Sequence, residues 1–255
     1  MAAHLGWTGG AEPTIVGRIC VGGAVTTHAV HRPRPARQPR NPGVSAVAPD
    51  LPRLTVGPSM GRFDPRTALI VVDLQNDFAE PAGSLAVEGG EAVIPVVNAA
   101  INETVEAGAL VVATQDWHPE STPHFAKDGG VWPVHCVGGT WGAELHPSLE
   151  LPADAPRVRK GVNGEDGYSA FTMRDSVSGE EIPTELHELL RGRGIERVVV
   201  CGLATDYCVK ATALDAVRLG FTVELLPGAV AAVDLQAGDG ERAMTEMADA
   251  GVRIG

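Results

Sequence analysis

The densest run of chemically active side chains in this sequence is Asp116, His118, His124 and His135, one carboxylate and three imidazoles within twenty residues. Three of the chain's eight His fall in that stretch. Imidazole combined with carboxylate suits zinc, iron(II) or manganese and disfavours a thiolate-rich structural zinc finger. Asp116 and His118, two apart just past a predicted strand, project to one side if the strand geometry persists. Taken singly, each His reads as a turn cap facing solvent. The four together favour a site for one divalent metal ion.

A second grouping is built around a thiol. Gly202-Leu203-Ala204-Thr205-Asp206-Tyr207-Cys208 joins an apolar run to a helical pattern, and Thr205 as N-cap sets Cys208 at the third helical position. Free N–H groups and the positive dipole end there lower a thiol's pKa and can hold a developing oxyanion. The competing reading is a small buried hydrophobe, the usual state of a free Cys. That reading weighs more for Cys201, inside an apolar strand, and for Cys136, directly after His135. A thiol nucleophile needs a base. Tyr207 occupies the place beside Cys208, so a carboxylate is the candidate. Asp73 ends the first predicted strand, where burying an acid is costly unless it is paired or used. Lys160, one of three Lys, falls at another strand end, and beside Asp73 and Cys208 it favours the ionised forms of both. The bland alternatives are a turn cap over Gln75–Phe78 for Asp73 and a solvated rim charge for Lys160.

The elements that must position these groups read as alternating strands and helices. Short apolar runs predict buried strands at Ala68–Asp73, Ala109–Thr114, Arg157–Lys160, Arg197–Gly202, Phe221–Leu226 and Val252–Ile254. Helical periodicity predicts Glu91–Ala107 stopping at Gly108, Pro183–Arg191 with Pro in its first turn, Thr205–Leu219 closed by Gly220, and Glu241–Ala250. Residues 115–156 hold no sustained period and form a long excursion carrying the His set, and a Gly-rich loop spans Gly161–Gly167. The expectation is an α/β protein of three αβα layers around a mostly parallel, six-stranded, doubly wound sheet, with the site at the carboxyl ends of the strands.

Composition narrows the class. The 255 residues carry Lys+Arg 20 against Asp+Glu 32, a formal net charge of −12, which argues against a nucleic-acid partner. No run approaches 18 uncharged apolar residues, so no membrane-spanning helix or membrane partner is expected. Four Cys without a CxxC pair are no disulfide framework, which fits a reduced, cytoplasmic enzyme. Residues 1–59 differ in kind, with six Arg, two acids and eight of the nineteen Pro. They read as an extended Pro/Arg-rich leader, or as translation from too early a start, with Met60 opening a single domain over 60–255. Whether that domain is monomeric or pairs with itself stays open.

Asp73-Leu-Gln-Asn-Asp-Phe78, Gly83-Ser-Leu85, Thr114-Gln-Asp-Trp-His118, Trp132-Pro-Val-His-Cys136, Gly138-Gly-Thr140, His146-Pro, Lys160-Gly161, Tyr168-Ser-Ala-Phe171 and Gly202 to Cys208 stand in the order found in nicotinamidases. Over roughly residues 66–255 the sequence resembles these members of the isochorismatase-like cysteine hydrolases. The resemblance implies hydrolysis of nicotinamide to nicotinate and ammonia through a thioester. It casts Asp73, Lys160 and Cys208 as the catalytic triad and the N–H groups of Ala204 and Cys208 as the oxyanion hole. It also implies a cis peptide at Leu203–Ala204. Asp116, His118, His124 and His135 would bind the metal (zinc or iron, with manganese the third choice). Phe78, Leu85, Trp132, Tyr168, Leu203 and Tyr207 would line the substrate pocket. Two departures stand out: Tyr207 replaces a His found in many bacterial members, and the segment Lys160–Tyr168 is longer and more acidic than usual. Two other readings stay open. One is a metal-free relative acting on another carboxamide, carbamoyl or ureido compound or on isochorismate. The other is a thiol redox sensor or metal-binding module using Cys208 and Cys136.

Overall fold

Three of the apolar runs become strands that the rest of the molecule covers on both faces. The computed structural model describes residues 61–255, and the expected leader over 1–59 lies outside the described residues. β1 (Thr67–Val72) leads through a single turn, α1 (Asn76–Ala79), to α2 (Ile94–Glu106) and β2 (Leu110–Asp116). Then come β3 (Arg157–Lys160), β4 (Thr172–Arg174), β5 (Glu181–Pro183), α3 (Leu186–Gly192) and β6 (Arg197–Leu203). The chain closes with α4 (Lys210–Arg218), β7 (Thr222–Ala231), α5 (Asp239–Asp249) and β8 (Arg253–Ile254). The main sheet has the order β3-β2-β1-β6-β7-β8, and every pairing in it is parallel.

Alternation along the strands divides the core in two. Leu69 and Val71 of β1, with Val199 and Cys201 of β6, face α2 through Ile94, Val97 and Ile101. Ala68, Ile70 and Val72, with Val198 and Val200, face Leu186 and Leu190 of α3, Ala213 and Ala216 of α4, and Met247 of α5. Helices therefore cover both faces, as a parallel sheet requires. The strand order reverses direction between β1 and β6, and such a switch point opens a crevice at the carboxyl ends of the two strands.

Three expected elements differ from the structure. Pro183 does not open a helix; it pairs with Thr172 in the antiparallel β4–β5 hairpin, and α3 starts at Leu186, whose N–H donates to Thr184 Oγ1 (3.2 Å). β7 does not stop at Leu226 but continues to Ala231 past Pro227-Gly228. Val200 pairs with Leu225 and Gly202 with Val230, so the proline sits in a bulge, where its missing N–H costs no ladder bond. Thr205 is not the N-cap of the last site helix. Ala204 holds that place, and Thr205–Val209 is wound as a π-helical turn before α4, with Tyr207 and Val209 both donating to Ala204 O (3.1 Å each). Among the described residues no helix is long and apolar enough to cross a membrane.

Candidate active site

The crevice between β1 and β6 brings the thiol grouping together. Asp73 follows directly on β1 in the left-handed region (φ 47°), a conformation Asp tolerates better than most residues. Its Oδ1 accepts from Thr114 Oγ1 (2.6 Å), a partner on β2 that the residue pattern had not singled out. Its Oδ2 lies 2.8 Å from Lys160 Nζ at the end of β3. The same ammonium stands 3.6 Å from Cys208 Sγ and pairs with Asp116 Oδ1. Asp73, Asp116 and Cys208 thus have ligand-type atoms within 4.8 Å of one another, and all are buried.

Burial sets the electrostatics. It pushes the Asp73 carboxyl up, a shift that Lys160 opposes and Asp116 reinforces. Burial also acts against Lys160, yet Asp116 and Asp73 hold its ammonium well above the usual range. Asp116 feels the same desolvation, but Lys160 and then His118 keep its carboxyl well below the ordinary value. Cys208 departs from expectation. Desolvation raises its thiol well above the usual range and outweighs Lys160, so at rest the sulfur holds its proton despite its place at a helix start. A protonated thiol beside a basic carboxylate is an arrangement for proton transfer on attack rather than for a standing thiolate.

The histidine grouping closes over the thiol grouping. His118 N–H donates to Cys136 O (2.9 Å) and Gly138 N–H donates to His118 O (2.8 Å), which pins residues 135–137 beside the end of β2. Ala126 N–H donates to Trp132 O (2.7 Å) and folds His124 back onto the same place. The rings of His118 and His124 stack at 4.8 Å between centroids, and His135 stands edge-on to His118 at 5.2 Å. One nitrogen from each of the three falls within 4.8 Å of the others, the spacing of ligands around a metal ion. Asp116 joins them through Oδ2, 3.7 Å from His118 Nε2 and 3.8 Å from His135 Nε2.

The donor set fits a divalent metal. His135 Nδ1–H donates to Pro133 O (2.8 Å) and His124 Nδ1–H to Asp166 Oδ1 (2.7 Å), which leaves each Nε2 lone pair free. Both ring nitrogens of His118 are buried without a hydrogen-bond partner among the described residues, a costly state that coordination of one of them relieves. Burial lowers His135 to about 4, so the neutral imidazole a metal requires is its ordinary form. Gly161, at φ +76°, lets the backbone pass His118; a Cβ there would come within 2.6 Å of Nδ1.

The pocket above these groups is lined by all six expected residues, Phe78, Leu85, Trp132, Tyr168, Leu203 and Tyr207, with Val87 and Val233 added from segments that carried no motif. Trp132 Nε1 donates to Tyr168 OH (3.0 Å), and Tyr207 meets both rings edge-on at 5.0 and 5.3 Å. The acidic loop before Tyr168 leaves that ring in the pocket. Ala204 opens the π-turn on the pocket wall, and the Leu203–Ala204 peptide is cis.

A thiol, a carboxylate and an ammonium are buried together at the switch point of a parallel sheet, and comparison with known families places the chain that carries them. The isochorismatase domain matches residues 67–254, from the first strand of the sheet to the last, and the chain belongs to that family. Among its relatives, a nicotinamidase of Escherichia coli (strain K12) is 40% identical over 206 residues, covering 74% of this chain and 94% of that protein. A pyrazinamidase of Pyrococcus horikoshii, solved in complex with zinc, is 46% identical with a TM-score of 0.66, over 74% of this chain and 98% of that one. PnC1 from L. infantum, solved in complex with nicotinate, is 42% identical with a TM-score of 0.67, over 74% and 91% of the two chains.

Proposed function

We propose that this protein is a nicotinamidase, a metal-dependent cysteine amidohydrolase that converts nicotinamide to nicotinate and ammonia. The observation that carries the reading is the meeting of Cys208, Asp73 and Lys160 with the three-His cluster at the floor of a single aromatic pocket. The nicotinamidase and nicotinate-bound relatives support the same substrate.

The chain's own groups account for the chemistry. Trp132, Tyr168 and Tyr207 hold the pyridine ring, and Phe78 and Leu203 exclude water around it. Asp73, made basic by burial, takes the Cys208 proton as the sulfur attacks the carboxamide carbon. The N–H groups of Ala204, just before the π-turn, and of Cys208 within it receive the oxyanion. Asp73 returns the proton to the leaving nitrogen, ammonia departs and a thioester remains. Water then adds to the thioester as Asp73 takes its proton, Asp73 returns that proton to the departing Cys208 sulfur, and the acid formed gives its own proton to solvent and leaves as nicotinate. Lys160 keeps its charge throughout and offsets the negative charge that passes between Asp73 and Cys208. Asp116, His118, His124 and His135 would hold a divalent metal, which when bound would supply a Lewis acid. This donor set and the zinc-bound relative favour zinc or iron(II), with manganese also accommodated. A soluble small-molecule substrate and the reduced, buried cysteines suit the cytoplasm, where the reaction would serve salvage of the pyridine ring.

The test is ammonia release from nicotinamide by the purified chain, by its Cys208→Ala variant and by chelated protein. Release that requires both Cys208 and metal is the expected result. Unchanged release by Cys208→Ala would remove the thiol from the reaction. A folded, metal-loaded protein inert toward nicotinamide would move the assignment to another small carboxamide or ureido substrate.

A further inference from the structure

The loop between Lys160 and Tyr168 does more than lead the chain from β3 to the pocket. Its backbone at Gly161 packs on His118, its Tyr168 hydroxyl accepts from Trp132, and between them Asp166 reaches His124. Asp166 lies forty-two residues from His124 in sequence, and its Oδ1 stands 2.7 Å from His124 Nδ1. The His124 ring is buried, whereas the Asp166 side chain is 52% exposed. The carboxylate is nevertheless held firmly. Asp166 N–H donates to Arg174 O (2.8 Å) and Asp166 O accepts from Arg174 N–H (2.6 Å), which ties the residue to the β4–β5 hairpin. Oδ1 also accepts from Gly167 N–H (2.8 Å).

We infer that Asp166 is a positioning residue for the metal centre. By accepting the Nδ1 proton of His124 it fixes that imidazole in the tautomer whose Nε2 lone pair is free for a metal, alongside His118 and His135. The inference rests on the reading of His124 as a metal ligand. Among the described residues, His124 is the one of the three whose ring nitrogen hydrogen-bonds a charged side chain; His135 bonds a backbone carbonyl and His118 neither. A hydrogen bond from a ligand imidazole to a carboxylate commonly sets metal affinity by 10- to 100-fold. The acidity of this loop thus has a chemical role, and Asp166 acts on the reaction only through His124.

The experiment measures zinc affinity rather than turnover. Metal-stripped full-length protein is titrated with zinc against a chromophoric chelator for the unaltered chain, Asp166→Ala, Asp166→Asn, His124→Ala and the double variant Asp166→Ala/His124→Ala. Thermal melts of the stripped proteins check folding. Asp166→Ala is expected to weaken zinc binding by about 10- to 100-fold. Asp166→Asn, which keeps an acceptor but no charge, should lose less. In the His124→Ala background, removing Asp166 should add no further loss, because its partner is gone. Should Asp166→Ala fail to fold, Asp166→Asn carries the comparison in both backgrounds. Wild-type affinity in the Asp166 variants, with affinity lost in His124→Ala, overturns the role of Asp166 alone. A loss that adds fully to that of His124→Ala makes Asp166 a scaffold for the loop and also overturns it. Unchanged affinity in His124→Ala overturns the ligand reading, and the inference with it.

Discussion

The Lys160 ammonium, 1% exposed, lies between two buried carboxylates, 2.8 Å from Asp73 Oδ2 and hydrogen-bonded to Asp116, with the Cys208 sulfur 3.6 Å away. It is the only positive charge among the groups paired there, so the proposed base and one proposed metal ligand depend on the same side chain. Lys160→Met keeps most of the volume and removes the charge. Two carboxylates would then face each other without a cation, and breaking a buried pair in this way costs about 3–5 kcal/mol. Asp73, already raised by burial and by Asp116, would rise further, hold a proton at neutral pH and cease to accept one from Cys208. The expected outcome is a lower urea midpoint at unchanged slope, together with ammonia release reduced by about 10³-fold or more. A variant with native stability and turnover would show that Lys160 is a spectator.

At the scale of elements, the site depends on how closely β1 and β6 approach. Gly202 pairs with Val72 at φ +109°, and a Cβ there would fall 2.0 Å from Val72 O, inside the strand it pairs with. Gly202→Ala must therefore push the ends of β1 and β6 apart, and Asp73 and Cys208 are the groups those ends carry. We expect a loss of roughly 2–4 kcal/mol in stability. The fall in turnover should exceed the change in KM, since the proton transfer is misaligned while the pocket walls stay in place. Comparing denaturant melts with steady-state kinetics tests both. The element pattern was legible wherever one physical rule dominated. Strands buried on both faces read as unbroken apolar runs, so Asp73 and Lys160 could be placed at their ends, and the His cluster showed in composition alone. The π-winding after Ala204 was not legible, because it depends on where the chain leaves β6 rather than on the side chains of Thr205–Val209. The bulge at Pro227 hid the second half of β7, whose first half read as the run Phe221–Leu226. The hydrogen bonds of Thr114 and Asp166 were not legible, because their partners lie forty or more residues away.

At the scale of the molecule, the described residues that line the pocket lie between Phe78 and Val233, and the family match begins at residue 67. A chain starting at Met60 should accordingly keep kcat/KM for nicotinamide within about twofold of the full chain; a larger loss would assign residues 1–59 a part in activity. The metal makes a different demand. Its proposed ligands come from the end of β2 and from an excursion over residues 117–156 whose regular structure is limited to the 3-10 turns Ala126–Asp128 and Trp141–Ala143. That excursion is anchored to the scaffold by a few polar ties. Gln75 and Gln115 donate to Ala143 O, Asn76 donates to Trp141 O, and Asp77 accepts from Cys136 N–H. A metal bound only by the folded form adds about 2.7 kcal/mol at a concentration 100-fold above its Kd. For a domain of this size that corresponds to roughly 5–10 °C in Tm. Chelation should therefore lower Tm by that order and raise amide exchange over residues 118–138, where the three His sit. β1 and β6, buried between two layers of helices, should keep their protection. Exchange that rises evenly through sheet and excursion would mean that the metal supports the whole fold. An unchanged Tm would mean that the His cluster holds its shape without it.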